Sequence, residues 1–559
     1  MEILAVKNLN FSYPDSNAAA LENVNFSVKD GEFIVLCGES GCGKTTLMRL
    51  LKRELAPFGK KSGEISFCGR NETELSDAES ACEIGYVMQN PEAQTVTDKV
   101  WHEISFGMEN LGFPRDKIRL RSGEIAAYFG IDTWFRGDTA TLSGGQKQIL
   151  ALASVIALSP KLLLLDEPTS QLDPIAAANF ISAVCKLNRD FGITVIMAEH
   201  RLGEIFPYAD RVAVMEKGRI IAFDTPRKIC EALGNHRISA GFPAAAQIYS
   251  ALGMYSALGT QQCPLTVKEG KNFLLALDFS KEKMPSLHEN PRTGDEIAIE
   301  TKNLWLRYEK NAPDILRGTN LSVRRGEIFS ILGGNGTGKT TLLRAISRTA
   351  KPYRGKITVF GENIKKISDA SLHRHCIALL PQNADTLFIS KTVEADFLEI
   401  CRAMGYDKAK SMEETAKISE KFGISPLLQK HPYDISGGEM QKCAIAKIML
   451  TNPRIILLDE PTKGIDAFAK KTLGNILREL QNDGITTIIV THDTEFAASV
   501  SDRCALFFDG EVLSPSSPRE FFSSTDFYTT AASRISRGIF ENAVTVQDVV
   551  FLAKEAIKK

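Results

Sequence analysis

No stretch of this sequence approaches the ~18 consecutive apolar residues that a membrane-spanning helix needs. The densest apolar runs, Leu162 to Leu165 and Ile455 to Leu458, are short and end in acids, which suits buried strands. Neither charge is in excess. The chain has 67 basic and 68 acidic residues, a net charge of −1, so the basic surplus that accompanies tight nucleic-acid binding is missing. The 11 cysteines form no CxxC pair and no cluster with histidine, which argues against a structural metal or iron–sulfur centre and for reduced thiols. The first residues, MEILAVKNLN, carry an acid at Glu2 and a break at Lys7 and do not read as an export signal. The expectation is a cytoplasmic protein, peripheral on the inner face of the cell membrane at most.

A chain of 559 residues is too long for one core and predicts roughly two to four domains. The apolar share of 43% and charged share of 24% are ordinary for a globular protein. The organising feature is a duplication. GESGCGKTT (Gly38 to Thr46) returns as GGNGTGKTT (Gly333 to Thr341), and LSGGQ (Leu142 to Gln146) returns as ISGGE (Ile435 to Glu439). LLLLDEPTS returns as IILLDEPTK, and the strand-like run ending at His200 returns as the run ending at His492. The order is kept and the offset hardly drifts, so two units are expected, at 1–230 and 296–518. Each is followed by an appended segment, 231–295 and 519–559, and PLTVKEGKNFL (264–274) echoes AVTVQDVVFLA (543–553). The polar, turn-rich stretch from Ser280 to Asp295 reads as a linker. Within a unit, an apolar strand (Phe33 to Cys37) feeds a glycine-rich loop and then a helix expected over Thr46 to Glu54. Leu162 to Leu165 and Thr194 to Met197 are expected as further buried parallel strands.

Gly38-x-x-x-x-Gly43-Lys44-Thr45 fits the phosphate-binding P-loop. Glycines let backbone N–H groups approach phosphate oxygens, and the following helix N-terminus favours anions. Ser40, Gly41 and Thr46 complete the loop; Lys44 is expected on the β- and γ-phosphates and Thr45 on Mg²⁺. Gly333, Asn335, Gly336, Gly338, Lys339, Thr340 and Thr341 repeat this set. Asp166 and Asp459 close apolar strands, where a carboxylate can reach Mg²⁺, and Glu167 and Glu460 follow as groups able to polarise a water. His200 and His492 are placed to approach a γ-phosphate. Gln89 and Gln382, after short strands, could join Mg²⁺ or the water to a moving surface, and Tyr13 and Tyr308 could stack on adenine. Cys42, beside Lys44 and a helix N-terminus, is expected to have a lowered thiol pKa, with an inert filler as the alternative.

P-loop, glutamine, SGGQ-type loop, Asp-Glu pair and histidine, in this order, resemble the ATP-binding cassette (ABC) ATPases. The resemblance implies an α/β fold: two tandem RecA-like nucleotide-binding domains, each with an antiparallel β subdomain and an α-helical subdomain. It implies ATP and Mg²⁺, and two cassettes closing head to tail within one chain, so that no homodimer is required. By the same resemblance, ATP on Lys44 is capped by Ser436, Gly437, Gly438 and Glu439, and ATP on Lys339 by Ser143, Gly144, Gly145 and Gln146. The second signature, ISGGE, and the unequal loops SQLD (170–173) and KGID (463–466) depart from full symmetry. Both acid–histidine pairs are nevertheless present, and two competent sites are expected.

QNPEAQTVTDKVWHEISFGMENLG (89–112) and AEHRL (198–202) resemble the ATPases of energy-coupling factor (ECF) transporters. That implies a motor for uptake of a vitamin, a vitamin precursor or a transition-metal ion. Its partners would be a transmembrane coupling protein and a small substrate-binding membrane protein, with 89–112 lining the groove for coupling helices. The appended segments would hold the halves together or meet partners. The alternative is a soluble twin-cassette ATPase acting on the ribosome or another macromolecule. The paired histidines and the absence of a long charged linker weigh against it.

Overall fold

The computed structural model describes residues 1–14, 18–253, 262–277 and 296–557, with the single positions 279, 287 and 294. Most of the expected linker, 280–295, lies outside the described residues. The chain divides into two compact units, Met1–Thr266 and Val267–Lys559.

Each unit is built on two sheets, as the α/β expectation requires. In the first unit an antiparallel four-stranded sheet runs in the order Leu21–Lys29, Glu2–Ser12, Lys60–Phe67, Arg70–Asn71. A six-stranded sheet runs Arg219–Asp224, Arg211–Glu216, Phe33–Gly38, Thr194–Ala198, Leu162–Asp166, Ile84–Val87. Its inner strands are parallel and Arg219–Asp224 is an antiparallel edge. Every residue of Phe33–Gly38, Leu162–Asp166 and Thr194–Ala198 is buried. That is why these strands read as continuous apolar runs: a parallel sheet covered on both faces leaves no polar alternation. The second unit repeats the plan, with Ile328–Leu332 and Thr486–Thr491 at the centre of its six-stranded sheet and Ile455–Asp459 next to Thr486–Thr491.

Helices Val100–Asn110, Arg115–Phe129 and Gly144–Ile156 form the helical part of the first unit, and Val393–Ala403, Lys408–Lys421 and Gly437–Met449 that of the second. The helix after the first P-loop is shorter than expected: it spans Lys44–Leu50. Lys52 leaves helical geometry, at φ −121° and ψ 101°, to bury its ammonium against the carbonyls of Ser80 and Ile84 at 2.6 and 2.7 Å. A buried ammonium needs such acceptors, and that requirement overrides helix propensity.

The first appended segment is split between the units. Cys263 is tied back to helix Pro226–Leu233, its carbonyl accepting from Arg227 Nη1 and its N–H donating to Glu231. The next helix, Val267–Leu275, belongs to the second unit and packs on helix Ala531–Ser536, with Phe279 and Phe540 rings 5.0 Å apart.

Candidate functional site

Parallel pairing aligns Leu36 with Ala198 and Asp166 with Ala198, so Gly38, Asp166 and His200 emerge together at the carboxyl ends of their strands. In open α/β sheets this edge is where ligands sit. The loop from Gly38 turns into helix Lys44–Leu50 through Gly43, at φ 104°, and no side chain caps the helix. A Cβ at Gly43 would stand 2.7 Å from the Ala20 carbonyl, and Gly338 repeats the conformation at φ 112°. The first-turn N–H groups therefore remain available to an anion.

Lys44 is buried, and its Nζ donates to the carbonyls of Gly38 and Glu39 at 3.0 and 3.2 Å and lies 3.6 Å from Glu167. Thr45 Oγ1 donates to Asp166 at 3.1 Å, and Tyr86 Oη donates to the other oxygen of Asp166 at 2.9 Å. Glu167 accepts from Gln89 Nε2 at 3.0 Å and faces His200 Nε2 at 2.8 Å. In the second unit Lys339 Nζ donates to Gly333 and Gly334 at 2.9 and 2.7 Å, Thr340 donates to Asp459 at 3.0 Å, and His492 Nδ1 lies 2.8 Å from Glu460. Glu167 and Glu460 both have positive φ, 47° and 50°. Non-glycine residues in this region are strained and persist where the surroundings over-determine them, commonly at functional sites.

Burial sets the acidities here. It raises Asp166, with the neighbouring Glu167 adding to the effect, and it raises Asp459. At Glu167 burial also pushes upward, but His200 and Lys44 outweigh it and hold the carboxyl below its ordinary value. Glu167 is thus kept ionised beside the loop.

The two units differ in detail. Gln382 is exposed, and among the described residues no hydrogen bond joins it to Glu460 as Gln89 joins Glu167. Tyr86 has Leu379 at the matching place, so Asp459 lacks the phenol donor. Tyr13 and Tyr308 are partly exposed at the edges of their loops, their hydroxyls 3.1 and 3.3 Å from Thr46 and Thr341. Within each unit, among the described residues, no hydrogen bond links the signature (Ser143–Gln146, Ser436–Glu439) to that unit's own lysine–acid–histidine cluster. Ser143 and Ser436 cap helices Gly144–Ile156 and Gly437–Met449 through capping boxes with Gln146 and Glu439. Glu439 also accepts the Ser436 hydroxyl proton at 2.8 Å, which turns that hydroxyl back on its own helix.

One expectation is overturned. Cys42 is 6% exposed and burial pushes its thiol pKa up, with the attraction of Lys44 too weak to reverse it. Proximity to a cation lowers a thiol only where water can still solvate the thiolate. Iodoacetamide should therefore label Cys42 at least about tenfold more slowly than exposed Cys68, measured by peptide mass spectrometry. Equal or faster labelling of Cys42 would contradict this.

Sequence reasoning missed Glu199. It is 1% exposed and accepts from Thr169 N at 3.1 Å and His200 N at 2.9 Å, and from the Thr169 hydroxyl, tying the loop after the Asp-Glu pair to the histidine. The one signal was an acid at the end of an apolar strand where the repeat carries Thr491.

Comparison with known proteins agrees with this geometry. The family model for ABC transporters matches residues 21–170 and 316–463. A Bacillus cereus relative, by name an ABC transporter ATP-binding protein, is 39% identical over 548 residues, 97% of each chain. A relative of the same description from Methanosarcina acetivorans is 31% identical over 566 residues, 95% of this chain and 87% of its own. A solved structure, cbiO1 from Clostridium perfringens, part of the ABC transporter complex cbiONQ, is 31% identical, with a TM-score of 0.38 over 43% of this chain and 97% of that one. With two phosphate loops, each set beside its own Asp-Glu pair and histidine, and with relatives matching nearly end to end, this chain belongs to the ABC transporter family as an ATPase carrying two ATP-binding cassettes in one polypeptide.

Proposed function

We propose that this ATPase is the motor subunit of an ECF-type importer, driving uptake of a micronutrient (a vitamin, its precursor or a transition-metal ion) through separate membrane proteins. The observation that carries the reading is the segment 89–112. Its first residue, Gln89, is bonded to Glu167, while Val96 and Trp101 expose apolar surface at 67% and 44%. A chemical change at the carboxylate and a partner on that surface would thus act on one short stretch of chain. The likeness of 89–112 and of AEHRL (198–202) to ECF ATPases names the kind of partner: a transmembrane coupling protein accompanied by a small substrate-binding membrane protein. Among the described residues no helix is long and apolar enough to cross a membrane, so the reading assigns the passage to partners. The chain would work at the inner face of the cell membrane.

In the proposed mechanism Lys44 and the loop N–H groups hold the triphosphate, with Ser40, Gly41 and Thr46 around it and Tyr13 against the base. The ammonium of Lys44 is satisfied by the carbonyl oxygens of Gly38 and Glu39 with Glu167 3.6 Å away, so it can turn to phosphate without leaving a charge unpaired. The hard oxygen donors of Thr45 and Asp166, 3.1 Å apart, fit Mg²⁺, which is typically held by one carboxylate, a hydroxyl and substrate phosphate. Mg²⁺ bound there would neutralise phosphate charge. Gln89 would read its presence through Glu167. Glu167, ionised and oriented by His200, would take a proton from the attacking water. Thr340, Asp459, Gln382, Glu460 and His492 would take these roles in the second cassette, with Asn335, Gly336 and Tyr308 around the nucleotide. Each signature would cap the nucleotide of the opposite cassette, the helix N-terminus meeting the γ-phosphate.

Affinity purification from native membranes tests the reading. A polytopic membrane protein and a small substrate-binding membrane protein should copurify, and Val96→Asp with Trp101→Asp should abolish their recovery. Recovery of ribosomes, or of no membrane protein, would favour the macromolecule-directed alternative and contradict the importer.

A further inference from the structure

The first unit carries a chain of ion pairs that begins in its appended segment and ends inside the phosphate loop. Arg237–Gly241 is a short 3-10 turn beyond the cassette. Arg237 Nε lies 2.8 Å from Glu39 and its Nη2 lies 2.5 Å from Glu216, while His236 Nε2 lies 3.5 Å from Glu216. With Ser40, Cys42 and Lys217 these groups line a pocket of about 240 Å³ against the loop.

A carboxylate at position 39 is out of keeping with its surroundings. The loop from Gly38 to Lys44 exists to surround a polyanion, and the Glu39 carbonyl itself accepts from Lys44 Nζ at 3.2 Å. A negative side chain there opposes the triphosphate unless it is neutralised and held aside. The repeat supplies an internal control. The matching residue in the second loop is Gly334, where an added Cβ would stand 3.8 Å from the hydroxyl of Tyr528. So in both units the segment after the cassette reaches the same point of its phosphate loop. In the first unit it brings a cation to an acid; in the second it brings an uncharged hydroxyl to a glycine.

We propose that Arg237 is a positioning residue for ATP at the first site: it neutralises Glu39 and holds it off the phosphates, so the appended segment sets the affinity of this site and not of the second. The proposal rests on the reading of the Lys44 loop as an ATP site. Movement of the turn at Arg237–Gly241 would release Glu39 toward the phosphates and weaken ATP at one site alone. The side chains of Arg237 and Glu39 are 42% and 27% exposed, so solvent screening limits the effect to a few-fold.

The test uses the full chain with Lys339→Ala, which leaves the first site to be read alone, and MgATP binding by fluorescent-nucleotide displacement. Arg237→Ala should weaken MgATP by about three- to fivefold, more at low salt than at high. Adding Glu39→Gln should bring the affinity back to within about twofold of the parent, because the group needing neutralisation is gone. An unchanged affinity in Arg237→Ala, or a loss that persists in the Glu39→Gln/Arg237→Ala chain, would overturn the proposal, the latter by showing a merely structural role. Failure of the Lys339→Ala parent itself to bind MgATP would overturn the ATP-site reading, and the role of Arg237 with it.

Discussion

Replacing Glu167 and Glu460 together by glutamine should lower ATP hydrolysis by about 10²- to 10⁴-fold while MgATP still binds, the range expected when a general base is removed. Each glutamate touches its histidine at 2.8 Å and lies near its P-loop lysine, at 3.6 Å in the first cassette and 4.0 Å in the second. Glutamine keeps the shape and loses the proton acceptor, so binding and hydrolysis separate. At the first site, Glu167 has its carboxyl held below its ordinary 4.5, so it stays ionised through neutral and mildly acid pH. Its share of the rate should persist as pH falls and fail only below that ordinary value, where the carboxylate is protonated. Single substitutions need not be equal. Gln89 donates to Glu167 while no such bond joins Gln382 to Glu460 among the described residues, and the Ser436 hydroxyl is committed to Glu439. Steady-state hydrolysis of the three variants, with nucleotide binding in parallel, decides the matter. Full activity in the double variant would contradict the assigned role.

Asp396→Ala should destabilise the helical part of the second cassette by about 3–5 kcal/mol, the cost of stranding a buried charge. Asp396 is fully buried and accepts from Ile389 N and Ser390 N, both at 3.1 Å, and from Lys447 Nζ at 2.7 Å. Lys447 is itself buried, donates to the Leu387 carbonyl, and lies 4.9 Å from the centre of the Phe388 ring. Removing the acid leaves an ammonium and two N–H groups without their acceptor. The first cassette offers a matched contrast. Glu103 accepts from Val96 N, Thr97 N and Thr97 Oγ1, and Ser154 stands where the second cassette has Lys447. Glu103→Ala should therefore lose about 1–3 kcal/mol, the loss from unsatisfied donors without a stranded charge. The two acids also anchor the loops that precede Val100–Asn110 and Val393–Ala403, one of which carries the exposed Val96 and the other Ile389. Hydrogen exchange over 387–403 reads the effect locally, which suits a chain of two units better than one melting curve. The coupling of Lys447 to Asp396 is confirmed if Asp396→Ala/Lys447→Met recovers most of the protection. Protection in Asp396→Ala equal to the parent would contradict the argument.

Much of the fold was legible because duplication repeats every signal twice. The all-apolar strands betrayed a parallel sheet, and the motifs at their ends directed Lys44, Thr45, Asp166, Glu167 and His200 to one phosphate chemistry; strand pairing then sets them at one sheet edge. What stayed hidden depends on burial and on long-range pairing. Cys42 has the sequence neighbours of an activated thiol, yet its environment is dry and the sign reverses. Tyr86 and Glu199 are ordinary residues until the fold sets them against Asp166 and Thr169. Arg237 lies far along the chain from Glu39, in a segment whose sequence carries no chemical motif. Gln89 and Gln382 occupy matching, exposed places after matching strands, and only the structure shows that Gln89 is bonded to its glutamate.

The most direct test of two competent sites in one chain is equilibrium MgATP binding to the Glu167→Gln/Glu460→Gln protein, with the bound nucleotide counted. Two nucleotides per chain are expected, falling to one when Lys44→Ala or Lys339→Ala is added. One nucleotide per chain before either lysine is removed would contradict the reading of both loops as working ATP sites.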